Sequence, residues 1–399
     1  MKITDYFKIY QNKFDDPGEA AYHGSLVPYD AIAQEIKKIT FYVEYDNHLK
    51  SLPEIHHRNQ VNSHIFKPRY YSTNQIGAIE CSVPNKQVFI HTLRSLAFWF
   101  FFHYNKDVEI SISYKKEKYI NHCNGWKIGA NVFIGRSESV LNCLRYLTLL
   151  NLGYPREIIN KLILEQENNR LKQVSVSEND YFRRADEVLK VDHYKTNNPR
   201  ISLINCIYKN KPLSLVQLPW GIDMSKDLVQ ALFEINPKIE KIGVVGGIGY
   251  VGSQAVSVDD IMIPETLTLG NDFLGYTVLY LNNNFSPPSH LLLSRQKRIC
   301  SGSLYTIVPQ ENVQSNSYLV ANNGGTIDGF DMELAGFVKA LKNHPETKTS
   351  YVYYIMDIPE KGLGLGQTYY NLEFLSVLFS NVNRGKHYCI ESTINYLIN

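Results

Sequence analysis

Residues 241 to 265 read KIGVVGGIGYVGSQAVSVDDIMIPE, an apolar run that passes into closely spaced glycines. Within it, Gly247-Ile248-Gly249-Tyr250-Val251-Gly252 has the G-x-G-x-x-G spacing of a dinucleotide-binding turn. Such a turn must open directly into a helix, because the helix N-terminus holds the pyrophosphate. Here the next residues place Val256, Val258, Ile261 and Ile263 in a strand-like pattern that Pro264 closes. The segment therefore predicts a strand, a tight connection and a second strand. A nicotinamide-dependent oxidoreductase survives as a reading only if a helix follows Gly252. Two causes remain for the glycines. They supply unusual backbone angles in the connection, or they let a ligand approach the C-terminal end of a central strand, where open α/β sheets bind. Four glycines within residues 246–252 favour the second.

The surrounding chain divides into three zones. Residues 1–135 mix strand-like runs (KITFYVEYD, IGAIECSV, DVEISISY) with a polar loop over 52–76, an α+β pattern. LRSLAFWFFFHY, residues 93–104, is too short to span a bilayer and carries Arg94 and His103, so it predicts a buried helix. Residues 136–197 form a helical connection. Ser137 is positioned to cap a helix that Gly153 ends, Pro155 suits the first turn of the next, and DHYKTNNPR (192–200) reads as a linker. Residues 198–399 alternate strands with helices and predict an α/β domain. In it, RISLINCIY and PLSLVQLP flank a KNK hairpin turn, and Ser225 is positioned to cap KDLVQALFEIN.

Two carboxylates in this last zone are candidates for chemistry. FDMELAGFVKAL (330–341) reads as a helix whose apolar stripe is Phe330, Leu334, Phe337, Val338 and Leu341, with Glu333 at its edge. A half-buried acid there must be paired within the protein or accept hydrogen bonds from a ligand. Asp357 sits where the apolar strand Tyr351 to Met356 ends. It is either a turn residue or a desolvated general acid. The glycines of GLGLG (362–366) suit a flexible loop or a flap over such a site.

Taken in order, these segments resemble the nucleoside phosphorylase and nucleosidase superfamily, which includes purine nucleoside phosphorylases and methylthioadenosine nucleosidases. The residues that carry the resemblance are YKNKPLSLVQLPWGIDMSKDLVQALFEINPKIEKIGVVGGIG, VSVDDIMIPE, SGSLYTIVPQEN, FDMELAGF and YYIMDIPEKG, over roughly residues 200 to 395. The resemblance implies a mixed central sheet flanked by helices, behind an α+β N-terminal region. It also implies roles. Met332 and Glu333 would contact the ribose, Tyr305 would stack on the base, and Asp357 would protonate the leaving purine nitrogen. The backbone at Gly246 and Gly247 would line the ribose and nucleophile side. The substrate would be a purine nucleoside or nucleotide, no cofactor is implied, and family members commonly assemble as homo-oligomers.

Departures from the family pattern bear on the nucleophile. Where the family's phosphorylases carry an Arg before the glycines and a Ser or Thr among them, this chain has Gly243 and Gly246. Arg136, in IGRSES, is a distant counterpart as a phosphate ligand. The Ser that commonly precedes the catalytic Asp is Met356, and the acid opening the helix motif is Asp331. These changes favour hydrolysis over phosphorolysis, and they keep open a nucleoside-binding module that does not cleave.

Other signals are excluded. A formal net charge of +2 gives no general attraction to nucleic acid or anionic membrane. The basic and aromatic KPRYYSTNQ (67–75) is one short patch. His56, His57 and His64 lack further ligands at metal-binding spacing, so no metal is expected. Six dispersed cysteines and no secretory signal point to reduced thiols in the cytoplasm.

Overall fold

The computed structural model describes residues 35–43, 54–55, 69–83, 89, 93, 96, 100, 105–114, 119–123, 125–171, 180–196, 201–219, 221–271, 275–294, 297–306, 327–331, 333–358 and 372–399. The chain divides into two compact units, residues 1–118 with 307–322 and residues 119–306 with 323–399.

In the first unit, β1 (Lys38–Val43), β2 (Glu54–Ile55), β3 (Arg69–Ser72), β4 (Ala78–Val83) and β5 (Glu109–Tyr114) form one sheet. Its order is β2-β3-β4-β1-β5. β1 and β4 alternate strictly, so Ile39, Phe41 and Val43 share the buried face with Ile79, Cys81 and Val83. Leu93, Leu96 and Phe100 are helical and join this core at helical spacing, as the apolar run predicts. Ile112, one of the alternating apolar residues of DVEISISY, is 42% exposed. Tyr70 and Tyr71 are buried, which removes both aromatics of KPRYYSTNQ from any base-stacking role. The three loop histidines and residues 362–366 lie outside the described residues.

The second unit is built on a mixed ten-stranded sheet. Its strands are β6 (Asn131–Gly135), β7 (Asp192–Lys195), β8 (Ser202–Tyr208), β9 (Lys211–Gln217), β10 (Lys241–Tyr250), β11 (Ile261–Asn271), β12 (Gly275–Tyr280), β13 (Ile299–Thr306), β14 (Gly329–Asp331) and β15 (Lys348–Asp357). They run in the order β12-β11-β13-β14-β10-β6-β9-β8-β7, with β15 paired to both β10 and β11. At the centre, β9, β6, β10 and β15 are mutually parallel. These strands read as nearly unbroken apolar runs, as parallel strands buried on both faces do. The helices are α1 (Ser137–Asn151), α2 (Arg156–Leu171), α3 (Asp180–Leu189), α4 (Ile222–Ile235), α5 (Leu334–Leu341) and α6 (Leu372–Ile398). α6 packs against β6, β10 and β15. The mixed sheet flanked by helices is the α/β architecture expected. The second unit begins at Tyr119 and so also takes in β6 and α1.

Several local expectations are corrected. β10 continues to Tyr250, so Gly243, Gly246, Gly247 and Gly249 lie within a strand and none has positive φ. β11 begins only at Ile261, after the ten-residue loop 251–260, so Val256 and Val258, expected in the second strand, lie in the loop. No helix opens after Gly252, which removes the dinucleotide reading. Pro264 does not close β11; it sits at a shift in register, where a residue without an N–H is tolerated. Asp192–Lys195, within the expected linker, pairs with β8 as the outermost strand. α4 begins at Ile222, ahead of Ser225, whose hydroxyl donates to the Gly221 carbonyl at 2.8 Å from inside the helix. Ser137 is the first residue of α1 rather than its cap, and its N–H and hydroxyl bond Gln217 of β9. No helix among the described residues is long and apolar enough to cross a membrane.

Candidate functional site

Four strands present their ends to one region. β10 and β15 are parallel, pairing Gly246 with Tyr353, Gly247 with Tyr354 and Ile248 with Ile355. The register then shifts, and Gly249 pairs with Asp357. Met356 is thus an extra residue on β15, a β-bulge of the kind that re-aims side chains beside functional sites. On its other edge β10 meets β14, with Gly249 opposite Phe330. β14 in turn pairs with β13, with Phe330 opposite Tyr305 and Asp331 opposite Thr306. One cross-strand row therefore runs Tyr305, Phe330, Gly249, Asp357. At strand spacing of about 4.8 Å it spans about 14 Å.

The glycines of β10 are explained by this row and its neighbours. A Cβ on Gly246 would stand 2.7 Å from Cε1 of Tyr353. One on Gly249 would enter the Phe330 ring, and one on Gly247 would meet the sulfur of Met356. The glycines are needed because side chains of β14 and β15 lie across β10. The residues lining this end of the sheet are thus aromatic rings and a thioether seated on bare backbone.

α5 starts where β14 stops, and the hinge is Asp331. Phe330 and Asp331, expected in the helix, belong to the strand. Asp331 is 3% exposed. Its carboxylate accepts from the Thr306 hydroxyl at 2.5 Å, the Leu334 N–H at 2.6 Å, the Glu333 N–H at 3.2 Å and the Tyr353 hydroxyl at 3.4 Å. Thr306 also accepts from the Ala335 N–H at 3.1 Å. Three N–H groups at the start of α5, which no turn of the helix itself can satisfy, thus find acceptors. Burial pushes the Asp331 carboxyl up to about 6, against the lowering effect of these hydrogen bonds. Tyr353 is held well above its usual value by burial first, then by the nearby carboxylates of Asp331 and Glu333.

Glu333 is the N-cap residue of α5 and is 5% exposed, so this carboxylate is buried beside Tyr353. Tyr305 is half-buried at the end of β13. Asp357 is the last residue of β15. Arg136 is exposed and immediately follows β6. Since Ile134 pairs with Val244, Arg136 lies at the same end of the sheet as Gly246, each two residues beyond that pair. Met332 lies outside the described residues. Tyr305, Glu333, Asp357, Gly246, Gly247 and Arg136 therefore all sit at one end of the central strands. A separate surface cleft, lined by Tyr154, Asp180, Tyr181, Arg183, Arg184, Glu187 and Val188, includes none of them.

The carboxylate that reading the chain missed as a structural group is Asp331. Its signal was an acid three residues before a helix start, directly after a strand-like apolar residue. Among the described residues no group of three or more His, Cys, Asp or Glu is placed to hold a metal.

No protein-family model matches this sequence, and neither does any curated protein. Among solved structures, the chain is similar to a uridine phosphorylase from Vibrio fischeri ES114, at 10% identity and a TM-score of 0.44, over 68% of this chain and 93% of that one. It is also similar to a 5′-methylthioadenosine/S-adenosylhomocysteine nucleosidase from Colwellia psychrerythraea 34H in complex with adenine. That likeness has 14% identity and a TM-score of 0.40, over 67% of this chain and 97% of that one. A third is a purine nucleoside phosphorylase from Toxoplasma gondii in complex with immucillin-H, at 12% identity and a TM-score of 0.40, over 68% of this chain and 90% of that one.

Proposed function

We propose that the protein cleaves the N-glycosidic bond of a purine nucleoside or nucleotide, with water as the nucleophile. The observation that carries this reading is the row Tyr305, Phe330, Gly249, Asp357, with the buried carboxylate of Glu333 starting the helix beside it. A general acid, a base-stacking ring and a sugar-holding carboxylate are the groups this reaction requires; the reading assigns these roles to Asp357, Tyr305 and Glu333, and α/β sheets bind ligands at such strand ends.

In this reading Tyr305 stacks on the purine, and Glu333, with Met332, accepts hydrogen bonds from the ribose hydroxyls and fixes the sugar. The Asp357 carboxyl gives its proton to a ring nitrogen of the base. The bond between C1′ and the base nitrogen then breaks with its electron pair going to the base. Water adds to the electron-poor C1′ and loses a proton, which restores the Asp357 carboxyl. The products are the free base and the free sugar, which keeps any 5′-substituent. The backbone of Gly246 and Gly247, with no hydroxyl or guanidinium among them, lines the side from which water arrives.

A second reading is phosphorolysis. It is favoured by one observation, the exposed Arg136 at the same strand end as Gly246. A catalytically silent nucleoside-binding module is the reading left if binding occurs without cleavage.

The test is to incubate the protein with adenosine, inosine, guanosine, methylthioadenosine and AMP, with and without phosphate, and to quantify free base. Release without phosphate is expected. Release only with phosphate transfers the reading to Arg136 and phosphorolysis. Binding by calorimetry with no release from any substrate overturns the enzyme and leaves the binding module.

A further inference from the structure

We infer that Asp331 is a positioning residue that sets the place of Glu333 and takes no direct part in holding the ligand. The inference rests on the function proposed above. Asp331 is the acid that opens the helix motif, two residues before Glu333. The geometry turns it into the protein. Both carboxylate oxygens are engaged inside the protein, one by Thr306 of β13, the other by Tyr353 of β15 and the N–H groups of Glu333 and Leu334. Asp331 is itself buried in β14, so one side chain ties three strands to the first turn of α5. Glu333 is the residue at which that turn begins, and its own N–H is one of the four donors. A shift of Asp331 therefore moves Glu333.

Gly246 enters the same chain of contacts. The Tyr353 ring lies across the bare Gly246 backbone, and a Cβ there would displace the ring whose hydroxyl bonds Asp331. Gly246 thus acts on the site through Tyr353 and Asp331 as well as by lining it. The order of contact is Gly246, Tyr353, Asp331, Glu333, and each link is a packing or hydrogen-bond contact already described.

A double-mutant cycle tests this with the full chain and calorimetric titration of the nucleoside that the wild type binds best. Asp331→Asn keeps the shape of the side chain but leaves the amide end unable to accept. It is expected to weaken binding about tenfold. In the Glu333→Gln background the same change is expected to cost less than twofold, because its target is already lost. Equal losses in both backgrounds, or no loss in the first, overturn the inference while leaving the proposed function standing. If Asp331→Asn does not fold by circular dichroism, Thr306→Val, which removes one of the four donors to Asp331 together with the acceptor of the Ala335 N–H, is taken through the same cycle with the same criteria. A wild type that binds none of the five nucleosides and nucleotides overturns both readings together.

Discussion

Gly249 and Asp357 face each other across the parallel β10–β15 ladder, one step past a shift in register. That shift decides which residue ends the strand beside the bare glycine backbone. Without the shift, the partner of Gly249 would be Met356, and Asp357 would fall one position further on, opposite Tyr250. The bulge and the glycine together place an acid at a strand end lined by Phe330 and Tyr305.

The glycines of β10 are expected to resist even the smallest enlargement. Gly246→Ala sets a methyl against Tyr353, and Gly249→Ala sets one into the Phe330 ring. Each is expected to cost about 1–3 kcal/mol, as overpacking of a filled interior does. Urea unfolding of the two variants checks this. Shortening the obstacle, as in Gly249→Ala with Phe330→Leu, is expected to recover part of the loss, whereas a simple propensity effect would not be recovered.

Asp331 gives a pH signature with a definite sign. Its folded-state pKa of about 6 lies above the ordinary 3.8, so between these values the folded chain binds the proton more tightly than the unfolded one. The contribution of this group to stability is therefore present at low pH and lost as pH rises through about 6. Asp331→Asn cannot titrate. The stability difference between wild type and variant is expected to fall from pH 4 to pH 6, roughly, and to stay level above about pH 7. Denaturant unfolding across that range reads it. A difference independent of pH would contradict the assignment.

Glu391 of α6 is expected to be a second buried anchor. The residue is 2% exposed, and its carboxylate accepts the backbone N–H groups of Leu292, Leu293 and Ser294, in a segment without regular structure. Arg156 of α2 holds the Leu292 carbonyl at 2.7 Å. Removing the acceptor in Glu391→Ala strands three N–H groups and is expected to cost about 3 kcal/mol, while Glu391→Gln, which keeps one accepting oxygen, is expected to cost less. Chemical denaturation of both variants separates them. Equal losses would mean that packing rather than acceptance is the contribution.

Replacing Tyr305 tests the proposed stacking. Tyr305→Phe keeps the ring and is expected to change KM by less than about threefold, whereas Tyr305→Ala removes it and is expected to raise KM about tenfold or more, in line with stacking of about 1–3 kcal/mol. Steady-state kinetics on the best purine substrate decides. An unchanged KM for the alanine variant would remove Tyr305 from the site.

What the chain declared in advance follows from how local each signal is. The β8–β9 hairpin was readable because Lys209 and Asn210, both with positive φ (50° and 62°), sit between two apolar runs. The end of α1 was readable from Gly153, whose φ of 84° only glycine adopts without strain. Asp357 was readable as a strand end because the apolar run before it is continuous. Ser225 and Ser137 misled, since a hydroxyl near a helix start has a local cap preference, whereas the N-caps here are Gly221 and Arg136. Ser137 is drawn to Gln217 of β9, and Ser225 donates back to the Gly221 carbonyl from inside α4. The glycines of β10 misled for a different reason. At Gly246, Gly247 and Gly249 the cause is the rings and thioether of Tyr353, Met356 and Phe330, from about 80 to 110 residues away, and at Gly243 it is Thr393 of α6; no local window contains them. The Asp331 network was hidden for the same reason, because Thr306 and Tyr353 reach it only once β13, β14 and β15 are assembled.

The most direct test of the account is base release by Asp357→Asn on the substrate that the wild type cleaves fastest, with nucleoside affinity measured alongside. The amide cannot supply the proton, so turnover is expected to fall by about 100-fold or more while the dissociation constant changes by less than about threefold. Turnover close to that of the wild type would show that Asp357 is not the acid, and would contradict the proposed mechanism at its first step.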